Sequence, residues 1–385
     1  MNIKELQLLF EKNKETSLFG RYITNEDIKP LFNKKASKKI DINAIGKSVL
    51  GDDIYSIKLG SGPKKILMWS QMHGNESTTT KAIFDFINTC ISGSHITEDI
   101  LVGCTILIVP ILNPDGAKAY TRVNANLVDL NRDAQNLTQP ESVVLRNIFK
   151  SFKPDFCFNL HGQRTIFSAG NKPHSATVSF LAPAQDENCT ITANRKIAMA
   201  IIAKMNDGLQ KIIPNQVGTY DDDFNLNCVG DTFQSKNVPT ILFEAGHYKN
   251  DYFREKTREL IYVSYIIALS VIAIDKIDPS CYEAYLKIPE NQKLFFDVII
   301  RNAKHTPESE DAVDIAFQFE ERLIDGLLKF VPIVSKIERL NTYFAHREID
   351  ANMKVVSNLD DKALKINDEN VFVKINNEKI ALFSK

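Results

Sequence analysis

His73-Gly74-Asn75-Glu76 sets an imidazole and a carboxylate three residues apart, directly after an apolar run. One loop or first helical turn can aim both side chains at a single point. A third donor, His161, lies in Asn159-Leu160-His161-Gly162 at the end of another apolar run. Two imidazoles and a carboxylate form the donor set of a catalytic zinc, which takes three protein ligands and keeps a further position for water. Such an ion polarises a carbonyl and brings a water's pKa toward neutrality, which is the chemistry of hydrolysis. His-x-x-Glu by itself is also a common capping or surface pair, so the reading depends on what surrounds it.

The surroundings are an alternation of strands and helices. Ile54–Leu59, Lys65–Gln71, Cys104–Leu112, Asp155–Leu160, Thr177–Leu181 and Thr240–Phe243 read as short apolar strands. Ser77–Ile91, Glu141–Phe152, Ala193–Ile213 and Asp251–Ile274 carry helical spacing. This order predicts a three-layer α/β/α domain with a mixed, largely parallel central sheet. Chemistry in such sheets gathers at the strand C-terminal ends. His73, Asn113, His161 and Glu244 each follow an apolar strand, which argues for one site.

Further motifs run in order: Asn113-Pro114-Asp115-Gly116, Arg122-Val123-Asn124, Asp129-Leu130-Asn131-Arg132, and Phe243-Glu244-Ala245-Gly246. With the two histidine motifs, this series resembles the zinc carboxypeptidase family typified by pancreatic carboxypeptidase A. The resemblance covers residues 45–275. It implies one zinc per chain, held by His73, Glu76 and His161. It implies that Glu244 is the general base and then the general acid, and that Arg122 polarises the scissile carbonyl. Asn131 and Arg132 would grip a substrate's terminal carboxylate, for which the planar guanidinium fork is suited. Tyr220 matches the family's tyrosine upstream of the glutamate. Asp129 and Asp155 are candidates for orienting a ligand histidine. The run Asp221-Asp222-Asp223 and Asp231 would either draw a basic side chain or form a solvated loop. The sequence departs from the family where Asp133 follows Asn131-Arg132. A second reading is a zinc amidohydrolase of N-acyl amino acids, similar to succinylglutamate desuccinylase and aspartoacylase.

The rest of the chain bounds these readings. Its 385 residues divide into a helical extension over 1–44, the catalytic region over 45–277, and a small, mostly β domain over 278–385. In that last part Lys293–Asn302, Leu328–Ile337, Leu340–Ile349 and Val371–Ile375 read as strands. Formal net charge is -1, from 47 basic and 48 acidic residues, which gives no nucleic-acid footprint. No apolar stretch approaches the roughly 18 residues of a membrane span, and Leu260–Ile274 reads as a core helix. Charges break the apolar residues of the first dozen positions, unlike a secretory leader. The six cysteines form no Cys-x-x-Cys pair and read as buried free thiols. A cytoplasmic enzyme acting on a peptide or N-acyl amino acid is expected, with its oligomeric state left open.

Overall fold

The computed structural model describes residues 2–35 and 40–383. Those within 1–163 and 176–291 form one compact unit, and those within 164–175 and 292–385 a second.

The first unit is built on an eight-stranded sheet. Its strands are β1 (Ile40–Lys47), β2 (Asp53–Leu59), β3 (Lys64–Ser70), β4 (Cys104–Val109), β5 (Phe156–Gly162), β6 (Val178–Leu181), β7 (Val217–Thr219) and β8 (Thr240–Ala245). Their spatial order is β1-β2-β4-β3-β5-β8-β6-β7. The central β4-β3-β5-β8 run is parallel, whereas β1, β2 and β6 bring antiparallel pairings. β3 and β5 are buried along nearly all their length. Strands covered on both faces read as unbroken apolar runs rather than alternations.

The covering helices are α1 (Ile3–Asn13), α2 (Asn25–Lys35), α3 (Thr78–Ser92), α4 (His95–Gly103), α5 (Pro114–Ala119), α6 (Pro140–Phe152), α7 (Ala193–Leu209), α8 (Val229–Ser235) and α9 (Glu255–Ala273). α9 is buried along most of its length and packs with α3, α7 and the sheet in one core. It is the core helix expected at Leu260–Ile274. A second apolar cluster, including Trp69, Leu145, Phe149 and Phe233, fills the other face of the sheet. Among the described residues, no helix is long and apolar enough to cross a membrane.

The second unit is mostly β. Phe295–Ala303, Val313–Ile324, Leu327–Glu338 and Phe344–Asp350 form one sheet, and Val356–Ser357, Phe372–Ile375 and Glu378–Ala381 another. The units divide after Asn291 rather than at 278. Residues 278–291 stay with the first unit because they pack on α7. Tyr285 is buried there, and Lys196 stacks its ammonium on the Tyr282 ring at 4.5 Å. The segment 164–175 belongs to the second unit although sequence order places it in the first. Buried Asp297 accepts hydrogen bonds from the Thr165 hydroxyl and the Phe319 amide, and His346 bonds the Thr165 carbonyl.

All six cysteines are free; Cys90, Cys104 and Cys157 are buried, and Cys189, Cys228 and Cys281 only partly so.

Candidate active site

The chain turns sharply where β3 ends. Gln71 takes a positive φ of 44°, and its side-chain amide donates hydrogen bonds to the Ile23 and Gly74 carbonyls. A strained, buried turn of this kind persists only where its surroundings fix it. It delivers His73 and then Glu76 just before α3. The Ser70 hydroxyl bonds those of Thr79 and Thr80, tying the end of β3 to the first turn of α3.

The Asn113-Pro114-Asp115-Gly116 motif is the support beneath this loop. Asn113 caps α5 by accepting from the Gly116 amide and also donates to the Met72 carbonyl. A Cβ on Gly74 would lie 1.9 Å from the Gly116 carbonyl carbon, so the two loops meet only because Gly74 lacks a side chain. Asp115 accepts from the Ser48 hydroxyl and the Leu50 amide, which fastens the β1–β2 turn to the same support.

His161 enters from the end of β5, and Glu244 is its cross-strand partner on β8. Ligand atoms of His73, Glu76 and His161 lie within 4.8 Å of one another. The two Nδ1 atoms are 3.0 Å apart, and each is 3.0 Å from a Glu76 carboxylate oxygen. Nε2 of His73 lies 3.0 Å from Asp129 Oδ1. Both nitrogens of His73 thus face carboxylate oxygens; with a cation held at Nδ1, Nε2 would keep its proton toward Asp129. Asp129 is thus placed to orient His73. Asp155 is not, because its carboxylate bonds the Lys65 amide and ties β5 to β3.

The electrostatics suit a cation. Burial opposes charge on Glu76, but the two histidines outweigh it and hold the carboxyl well below its ordinary range. Burial also opposes charge on Asp129, and His73 and Arg122 likewise hold it well below that range. Burial lowers the pKa of His161 and so favours its neutral, ligating form. Burial, and next the charge of Glu76, pushes Glu244 well above the ordinary range. Burial opposes charge on His73 too, but Glu76 and Asp129 outweigh it and raise its pKa, so a metal there would displace a proton. Two imidazoles and an ionised carboxylate facing one point fit zinc's preference for N and O donors.

The remaining candidates surround this centre. Arg122 donates from Nε to Asp129 at 3.1 Å and from Nη1 to Glu76 at 3.4 Å, and is about half exposed. Asn131 Oδ1 accepts from the Val229 amide at the start of α8, leaving its amide nitrogen as donor. Exposed Arg132 spends Nη1 on the Asn131 carbonyl and Cys228 Sγ; a guanidinium has five N–H donors, more than these contacts use. Asp133 accepts from Thr138 and the Gln139 amide and so builds the next turn. Tyr220 donates to Gln163 Oε1 at 2.8 Å; burial first, then the charges of Glu244 and Glu76, pushes its phenol far up. Asp222 of the acidic run is paired with fully buried Arg195. Asp231 is buried, which raises its pKa to about 6.

Sequence reasoning did not find Gln163 and Arg254. Arg254 is buried, takes a positive φ of 60°, and donates to the Ala245 and Gln163 carbonyls, at the ends of β8 and β5. No local motif announces it.

Comparison with known proteins gives the same direction. Residues 30–137 match the family model described as zinc carboxypeptidase. Carboxypeptidase SOL1 of Arabidopsis thaliana is 29% identical over 174 residues, covering 40% of this chain and 35% of the relative. Carboxypeptidase M of Mus musculus is 29% identical over 153 residues, covering 33% of this chain and 34% of the relative. The matched part thus spans about a third of the length of these curated relatives. In fold, the chain is similar to a metallo-carboxypeptidase from Burkholderia cenocepacia, with TM-score 0.54 and 17% identity over 66% of this chain and 70% of that one. The amidohydrolase alternative is not favoured by these relatives. Residues 30–137 thus resemble the zinc carboxypeptidase family in sequence, and the chain shares the fold of metallo-carboxypeptidases.

Proposed function

We propose that this chain is a zinc-dependent carboxypeptidase that removes the C-terminal residue of peptides. The observation that carries the reading is the convergence of His73, Glu76 and His161 within 4.8 Å, with Glu244 beside His161 on the neighbouring strand. Zinc held by those three groups would supply Lewis acidity, polarising a carbonyl and making water acidic near neutral pH.

The protein's own groups do the rest. Glu244, with its raised proton affinity, takes a proton from the attacking water and returns it to the leaving amine. Arg122 turns its guanidinium toward the carbonyl oxygen as negative charge develops there. Arg132 and the Asn131 amide bind the substrate's terminal carboxylate, and this selects the last residue. Tyr220 contacts the substrate from the Glu244 side. Asp129 keeps His73 in the tautomer that ligates.

The test offers the zinc-loaded protein matched peptides, one with a free C-terminal carboxylate and one amidated, alongside N-acyl amino acids. Mass spectrometry should show single-residue loss from the free acid only, abolished by a chelator. Deacylation of N-acyl amino acids with both peptides intact would replace this reading with the amidohydrolase.

A further inference from the structure

We infer that Gln163 is a positioning residue for Tyr220: it fixes the direction of the phenolic proton and so holds the tyrosine back from a substrate carboxylate. The inference rests on the reading of Tyr220 as a substrate-contacting group.

Gln163 stands two residues past His161 and is buried. Its main chain is pinned on both sides. Its amide donates to the Ala245 carbonyl at 3.0 Å, and its carbonyl accepts from Arg254 Nη2 at 3.0 Å. Its side chain has no freedom to flip, because Nε2 donates to the Ala176 carbonyl at 2.5 Å. A backbone carbonyl only accepts, so the amide nitrogen must face Ala176 and the amide oxygen must face Tyr220. That oxygen also only accepts. The phenol 2.8 Å away is therefore the donor.

Asn291 reinforces the arrangement. Its amide nitrogen donates to Gln163 Oε1 at 3.3 Å and to the Ser179 hydroxyl at 2.9 Å. The phenolic proton is thus committed to a fixed acceptor. A peptide's terminal carboxylate is itself only an acceptor. Tyr220 can donate to it only by giving up Gln163, and affinity is lower by the worth of the bond exchanged.

The test uses the full, zinc-loaded chain and a dipeptide analogue with a reduced scissile bond and a free C-terminal carboxylate. Binding is read calorimetrically as Kd. Gln163→Met keeps the side-chain length and removes the acceptor. Kd should tighten by roughly two- to tenfold, the worth of one net neutral hydrogen bond. Gln163→Glu places a charged acceptor opposite the phenol, and Kd should weaken. Both shifts should vanish in a Tyr220→Phe background. Zinc stoichiometry and melting temperature of each variant report whether the site is intact, and the sign of the Gln163→Met shift stands alone if Gln163→Glu does not fold. Weaker binding in both Gln163 variants, with or without the tyrosine hydroxyl, would overturn the inference. So would a Kd that responds to Tyr220→Phe but not to the Gln163 changes. An unchanged Kd in Tyr220→Phe would overturn it together with the reading on which it rests.

Discussion

Two clusters of charge in the first unit are balanced differently. In the first, Arg258 of α9 forks onto Asp85 of α3 with both contacts at 2.6 Å and both side chains fully buried. Lys81 and Lys14 both pair with Glu255. The same guanidinium bonds the Glu15 and Leu18 carbonyls and fastens the segment after α1. Each charge there meets its opposite. In the second cluster, three carboxylates, Glu76, Asp129 and Glu244, gather around two histidines, and half-exposed Arg122 bonds Glu76 and Asp129. The first arrangement holds the fold together. The second leaves anionic donors and a displaced carboxyl pKa, which is how a site for a cation and for proton transfer differs from a staple.

Breaking each cluster should therefore have opposite signatures. The largest effect is expected from His161→Ala: zinc stoichiometry, measured by elemental analysis, should fall toward zero while the fold persists. Full stoichiometry would remove His161 from the ligand set. Asp85→Ala should destabilise by about 3–5 kcal/mol, because it strands a buried guanidinium. Denaturant titration should show that loss with zinc binding per folded molecule unchanged, and a loss near zero would mean the pair is not a staple. Asp129→Asn should weaken zinc by roughly 10- to 100-fold, the usual worth of a carboxylate that orients a ligand histidine. Competition with a chromogenic chelator would measure it, and parent-like affinity would contradict the orienting role.

The smallest effect concerns pH. The folded state holds the Glu244 proton more tightly than the unfolded chain, whose glutamate pKa is about 4.3. As pH rises past that value the unfolded chain ionises while the folded state keeps the Glu244 proton, so stability falls until the raised folded pKa is passed. Metal-free Glu244→Gln should thus melt above the metal-free parent at neutral pH, with the gap closing near pH 4. Equal melting temperatures at both pH values would mean that Glu244 is not held up.

How much of this was legible in the sequence follows from what each group depends on. His73, Glu76, His161 and Glu244 sit at the ends of β3, β5 and β8, and continuous apolar runs mark such strands clearly. Asn113-Pro114-Asp115-Gly116 was legible as a motif, but its work as a helix cap beneath Gly74 needed the contact itself. Asp129 and Asp155 looked alike in sequence; only the fold brings one to His73 and the other to the Lys65 amide. Val313–Ile324 was not read as a strand because Glu320, Glu321 and Arg322 break its apolar pattern on a half-exposed face. Arg254 and Gln163 act through backbone carbonyls distant in sequence or fixed by the sheet, and no spacing rule reports that.

The most direct measurement is zinc content and peptide turnover on one sample of Glu244→Gln. The account predicts parent-like zinc with turnover lower by roughly 10²- to 10⁴-fold, the usual contribution of a positioned proton carrier. Parent-like turnover with zinc bound would contradict it, since the reaction would then proceed without the carboxylate placed beside His161.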